Sequence, residues 1–183
     1  MTRSWFIVAL LLLGAGAPAL ATVIVPLCLA ELVSRADRIA VAKVEGQVAE
    51  WAGDGAIVTR VTLRVEEPVK GAVRAGDRLE LLREGGELEN IGMRVEGAAR
   101  FTVGEEVLVF LEQRGGSTWT VGMAQGKLHV ASVAGRRMVT RDLSGLAFQS
   151  RPAPDAALST GAARPLDEVL GAIATMRGSK GAR

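Results

Sequence analysis

Apolar and polar positions alternate with period two along most of this chain, and they switch to helical spacing only near its two ends. Ile57 to Glu66 shows the alternation most clearly. Ile57, Thr59, Val61, Leu63 and Val65 share one face, while Val58, Arg60, Thr62, Arg64 and Glu66 share the other. That pattern predicts an antiparallel strand with one wet face. Before it, Ile39, Val41 and Val44 open a longer strand that runs through Gly46 and Val48 towards Trp51, with a bulge or bend expected at Gly46. Trp51 to Gly55 has turn chemistry. Lys70 and Gly71 end the second strand after Pro68, and Arg78 to Leu82 reads as a shorter strand broken by Gly85 and Gly86. Val107 to Leu111 follows a turn at Gly104, Glu105 and Glu106; it is apolar on both faces, which predicts a central strand. Arg114 to Ser117 signals a hairpin. Trp119–Ala124 and Lys127–Val133 read as the next pair, turning at Gln125 and Gly126, and Met138–Leu143 as a last strand.

Two segments have helical spacing. Leu27 to Ala36 predicts a short helix with Leu29, Leu32 and Val33 on one face. Near the C-terminus, Pro165 suits a first helical turn, and Asp167 and Glu168 complement its positive end. Leu166, Val169, Leu170, Ile173 and Met176 form a stripe expected to dock on the domain. Gly178 closes this helix, with Arg177 and Lys180 near its negative end. The prediction is a mainly β fold: a small five- to six-stranded barrel, partly open and of the OB type, with a short N-terminal helix and an amphipathic C-terminal one.

The first 21 residues break the pattern. Arg3 gives a positive start, Trp5 to Leu13 is unbroken apolar sequence, and Ala19, Leu20 and Ala21 match a peptidase site. This predicts a signal peptide cleaved before Thr22, with an uncleaved anchor as the alternative. The run is too short for a membrane span, which needs about 20 residues. Expected organisation is therefore a signal peptide over 1–21, a β-barrel domain with its leading helix over 22–149, a flexible linker over 150–164 and the C-terminal helix with a basic tail over 165–183. Localisation follows as periplasmic or extracellular, with no transmembrane segment after signal removal.

Composition narrows the function by exclusion. Lys and Arg number 22 against 20 Asp and Glu, with the signs interspersed, so no electrostatic footprint for nucleic acid exists. Arg136, Arg137 and Arg141 read as a solvated face. The one cysteine, Cys28, allows no intrachain disulfide; it is expected to be a buried thiol, with lipidation or an intermolecular disulfide as alternatives. The only histidine, His129, alternates with Leu128 and Val130 and should face solvent. Cys28 and His129 form the sole conventional nucleophile–base couple, and no local motif supports it. The adjacent carboxylates Glu66–Glu67 and Glu105–Glu106 should point to opposite faces. Glu84, Glu87 and Glu89 read as solvated loop acids; calcium is the alternative, although the spacing of a calcium loop is missing. No catalytic, metal or cofactor-binding residue is assigned, and no cofactor is expected.

Four segments carry a resemblance: Ala36–Val44, Val61–Gly71, Phe101–Leu111 and Val121–Lys127. In order and content they resemble secreted bacterial proteins of unknown function. More distantly they are similar to netrin-like domains, which include the tissue inhibitors of metalloproteases. The resemblance implies an OB-type barrel and secretion over roughly residues 36–130. It does not carry an inhibitory site, because that family places a cysteine at the mature N-terminus and Cys28 lies inside the expected one. The leading expectation is an exported, non-catalytic module that binds a protein or cell-envelope component. Trp51, Glu84, Glu87, Glu89, Asn90 and Trp119 are its contact candidates. A secreted metalloprotease inhibitor is the alternative, and a hydrolase using carboxylates or an added metal is a third.

Overall fold

The computed structural model describes residues 22–148 and 162–180. The predicted signal peptide and most of the predicted linker lie outside them. The chain is mainly β, with one large antiparallel sheet of eight strands and two short helices.

Strand β1 (Thr22–Ile24) runs parallel to β11 (Leu146–Phe148), near the other end of the strand region. Helix α1 (Leu29–Arg35) follows. Its N-terminus is closed by the Glu31 carboxylate, which accepts the Cys28 N–H at 2.9 Å. Its last carbonyls are capped from outside: Lys70 Nζ donates to the oxygens of Val33 and Ala36 at 2.7 and 2.5 Å.

The two longest strands, β2 (Arg38–Trp51) and β3 (Ile57–Lys70), form a hairpin paired along its whole length. The expected irregularity at Gly46 is present, since the register shifts between Val44 and Gly46 and leaves Glu45 as the extra residue. Strand β4 (Arg78–Glu84) pairs with β3. The segment read as an acidic loop is a second small hairpin, β5 (Gly86–Leu88) with β6 (Ile91–Met93).

Strand β7 (Glu106–Arg114) pairs with the first half of β2 and is buried on both faces from Val107 to Leu111, as its continuous apolar run predicts. The first half of β7 then pairs with β9 (Lys127–Val133) and its last residues with β8 (Ser117–Thr120). This corrects the expected β8–β9 hairpin. Gly122 and Met123 have φ of 62° and 61°, and the chain enters a 3-10 turn over Met123–Gly126 that carries it across to β7. The crossing is so close that a Cβ on Gly126 would lie 2.5 Å from the Val121 carbonyl oxygen. Strand β10 (Arg136–Thr140) pairs with β9, and the two-residue β12 (Arg164–Pro165) with β10, so the expected linker ends inside the sheet. Helix α2 (Leu166–Lys180) closes the described chain.

Apolar residues form two clusters, on opposite faces of β2 and β7. Ile39, Val41, Leu108 and Phe110 face α1 and α2, where Leu32, Val33, Leu166, Val169 and Ile173 complete the core. Ala40, Ala42, Val44, Val107, Val109 and Leu111 face the other way and meet Val61, Leu63 and Leu81 of β3 and β4. The sheet curls over this second cluster until β4 lies beside β8. Described residues form no ladder between β4 and β8, so no closed barrel results. The main sheet thus exceeds the five or six strands expected, because β9, β10 and β12 extend it past β7 to make the floor on which the helices pack.

Candidate functional site

Past the bulge at Gly46, Ala49 stands opposite Thr59 and Trp51 opposite Ile57. Ile57 and Thr59 are buried there, whereas Trp51 is 53% exposed. Hairpin β5–β6 is seated on this end. Thr59 Oγ1 donates to the Gly85 carbonyl at 2.7 Å. A Cβ on Gly86 would stand 2.5 Å from that hydroxyl and 3.2 Å from the Ala49 Cβ, so only glycine lets the hairpin approach so closely. The hairpin turns at Glu89, whose φ of 55° is left-handed, and at the exposed Asn90. Glu87 is exposed on β5, and Ile91 and Met93 are 55% and 37% exposed on β6.

Two of the remaining contact candidates are joined through a residue the sequence reading passed over. Arg114 ends β7; its guanidinium lies 4.8 Å from the centre of the Trp119 ring and 3.5 Å from the Glu84 carboxylate. The Trp119 indole N–H donates to the Arg114 carbonyl at 3.2 Å, which holds this ring against its own hairpin. Trp51, Glu84, Glu87, Glu89 and Asn90 therefore occupy one end of the curled sheet, with Trp119 tied to it through Arg114.

An open cleft of about 560 Å³ lies beside the β5–β6 hairpin, lined by Arg83, Arg94 and Arg100 together with Glu84 and Glu87. Burial holds the Arg83 guanidinium below its ordinary pKa; Glu84 offsets this in part, and the like charge of Arg100 adds to it. Sequence reasoning missed these arginines because they come from β4 and from two places in the 94–105 segment, with no shared periodicity.

His129 is exposed on β9, as its alternation predicts. Its Nδ1 lies 3.2 Å from the Glu105 carboxylate, which also binds Lys127 Nζ at 3.0 Å and accepts the Thr102 N–H at 2.8 Å. Glu106 instead pairs with Arg137, so the two neighbouring acids serve different sites. Asp142, near this cluster, has its pKa lowered by hydrogen bonds from the Ser144 hydroxyl and N–H. Among the described residues the partner of His129 is thus Glu105, and Cys28 sits at the start of α1.

Two sequence expectations need correction. Cys28 is half-buried rather than buried, because its position at the start of α1 leaves one side open. Arg141 does not belong to a solvated face: it is only 6% exposed, while Arg136 and Arg137 are exposed. Its guanidinium turns inward because two carbonyls await it. Nε and Nη2 donate to the Gln125 oxygen at 3.0 and 2.7 Å, and Nη1 and Nη2 approach the Leu27 oxygen at 3.4 and 3.5 Å.

Among the described residues no three His, Cys, Asp or Glu side chains converge as metal ligands, and no helix is long and apolar enough to cross a membrane. Compared with protein-family models, curated proteins and solved structures, the chain has no match.

Proposed function

We propose that this chain is an exported, non-catalytic module that binds a protein partner through the end carrying Trp51 and the β5–β6 hairpin. The observation that carries the reading is the exposure of Trp51 at the end of β2 and of Ile91 and Met93 on the hairpin packed against β2 and β3, large apolar side chains that the fold leaves open to solvent. Apolar anchors ringed by charge are the usual energetic centre of a protein interface.

The architecture supports this reading, and we take the finer fold to be a partly open OB-type barrel. Strands β3 and β4 follow β2, β8 lies beside β4, and β7 joins β8 back to β2. Strands β4 and β8 run in the same direction as β2. The circuit is complete except for a ladder between β4 and β8. OB barrels bind ligands through the loop after their first strand and the loop between their last two. Here those loops are the Trp51–Ile57 turn and the Arg114–Ser117 turn, which bring Trp51 and the Arg114–Trp119 pair to the edge of the site.

The test is photo-crosslinking in cells that export the protein, with a photoreactive residue at position 51 or 91 and a control at the exposed Val133. A discrete protein adduct from positions 51 and 91, absent from 133, is expected. Trp51→Ala should weaken capture of that partner at least about tenfold while leaving the melting temperature unchanged, because an exposed anchor contributes to the interface rather than to the core. Adducts with envelope glycan or lipid would replace the protein partner with an envelope component. Equal labelling at all three positions would overturn the reading.

A further inference from the structure

The cleft beside the β5–β6 hairpin holds more positive charge than its own carboxylates neutralise. Of its two acids, Glu84 reaches Arg114 at 3.5 Å. Of its three arginines, Arg94 is paired with Glu96 at 2.7 Å. Arg83 and Arg100 line the cleft together, and Arg83 feels the opposite charge of Glu84 and, less strongly, the like charge of Arg100. Arg83 Nη1 reaches the Glu84 backbone oxygen only at 3.3 Å, and its Nε is shut away from solvent with no acceptor among the described residues. A buried donor without a partner costs roughly 1–3 kcal/mol, and more when it is charged. A guest bearing oxygen acceptors in the cleft adds partners for the remaining N–H groups of this guanidinium and offsets the burial of its charge.

We infer that this cleft is an oxyanion-binding site in which Arg83 and Arg100 clamp one carboxylate or phosphate group. A guanidinium presents its N–H groups as a planar fork that matches two oxygens of such an anion. The backbone setting is rigid on one side, because Arg83 lies within the β3–β4 ladder opposite Thr59. The cleft shares Glu87 and Met93 with the proposed partner-binding end. The inference therefore deepens that reading and rests on it for one point, that the anion is carried by the partner.

The test needs no partner. Arginine side-chain resonances of isotopically labelled protein are followed during titration with inorganic phosphate, and separately with acetate, at constant ionic strength. The Arg83 Nε–H signal is expected to shift and saturate in the millimolar range. Arg100→Gln leaves Arg83 in place, and Arg83→Lys keeps the charge but removes the fork; each should weaken binding about tenfold or more without unfolding the domain. Tighter binding of phosphate points to a phosphorylated carrier, and tighter binding of acetate to an acidic side chain. Shifts that never saturate, or saturation unchanged in both variants, would overturn the site. Because no partner is present, failure here leaves the crosslinking result at Trp51 standing, and failure of the crosslinking leaves an anion site standing.

Discussion

Replacing Arg141 with alanine lowers the unfolding free energy by about 3 kcal/mol. The guanidinium is buried and donates to the carbonyls of Gln125 and Leu27. Hydrogen bonds to a charged group contribute about 1.5–3 kcal/mol each, and removing the donor leaves buried acceptors without a partner. The separate contributions do not add fully, since both carbonyls belong to one network. Gln125 is itself nearly inaccessible; its side chain accepts the Leu27 N–H at 2.7 Å and donates to the Val25 carbonyl at 3.2 Å. Arg141 and Gln125 together tie the entry to α1 onto the 3-10 turn before β9. Urea denaturation should show a lower midpoint with an unchanged slope. Hydrogen exchange should speed up at Leu27 before it does at β2. A loss below about 1 kcal/mol would mean that water reaches these carbonyls as soon as the side chain leaves.

Ile173→Ala carries the second large expected effect, a loss of about 3 kcal/mol. Ile173 is fully buried where α2 meets α1 and the outer face of β2 and β7. Truncating a buried isoleucine costs about 2–5 kcal/mol, the spread reflecting how far the cavity collapses. The neighbouring stripe residues Leu166 and Val169 are also buried, whereas Leu170 and Met176 are partly so. Equilibrium unfolding followed by circular dichroism gives the magnitude. An unchanged midpoint, accompanied by loss of partner capture, would show that α2 acts in binding rather than in holding the domain together. The Arg177 guanidinium, which donates to the Val69 carbonyl, also fastens this helix to the end of β3.

Local chemistry was readable wherever a residue's neighbours in the chain are also the neighbours that decide its state. Alternation from Ile57 to Glu66 specified both the strand and its buried face. The two-sided apolar run of β7 announced a strand packed on both faces, and the stripe on α2 announced a docked helix. Even the bulge beside Gly46 was visible, because a residue without a side chain weakens a regular ladder at that point.

Pairing across the chain was not readable in this way. Alternation states that β8 and β9 are strands but not which strand each one meets. Both go to β7, at opposite ends of it, because the left-handed residues at the entry to the 3-10 turn redirect the chain. Arg141 was misread for the same reason. An arginine near two others looks like surface charge until its acceptors, supplied from residues 27 and 125, come into view. The arginine cleft is the extreme case, since Arg83 and Arg100, from separate segments, come to line one cleft only in the folded chain. The sequence by itself determined a β-rich chain with a helix near each end, through side-chain periodicity and glycine placement. Only the tertiary structure decided strand order, the inward turn of Arg141 and the convergence of charge, because each depends on contacts between residues far apart in the chain.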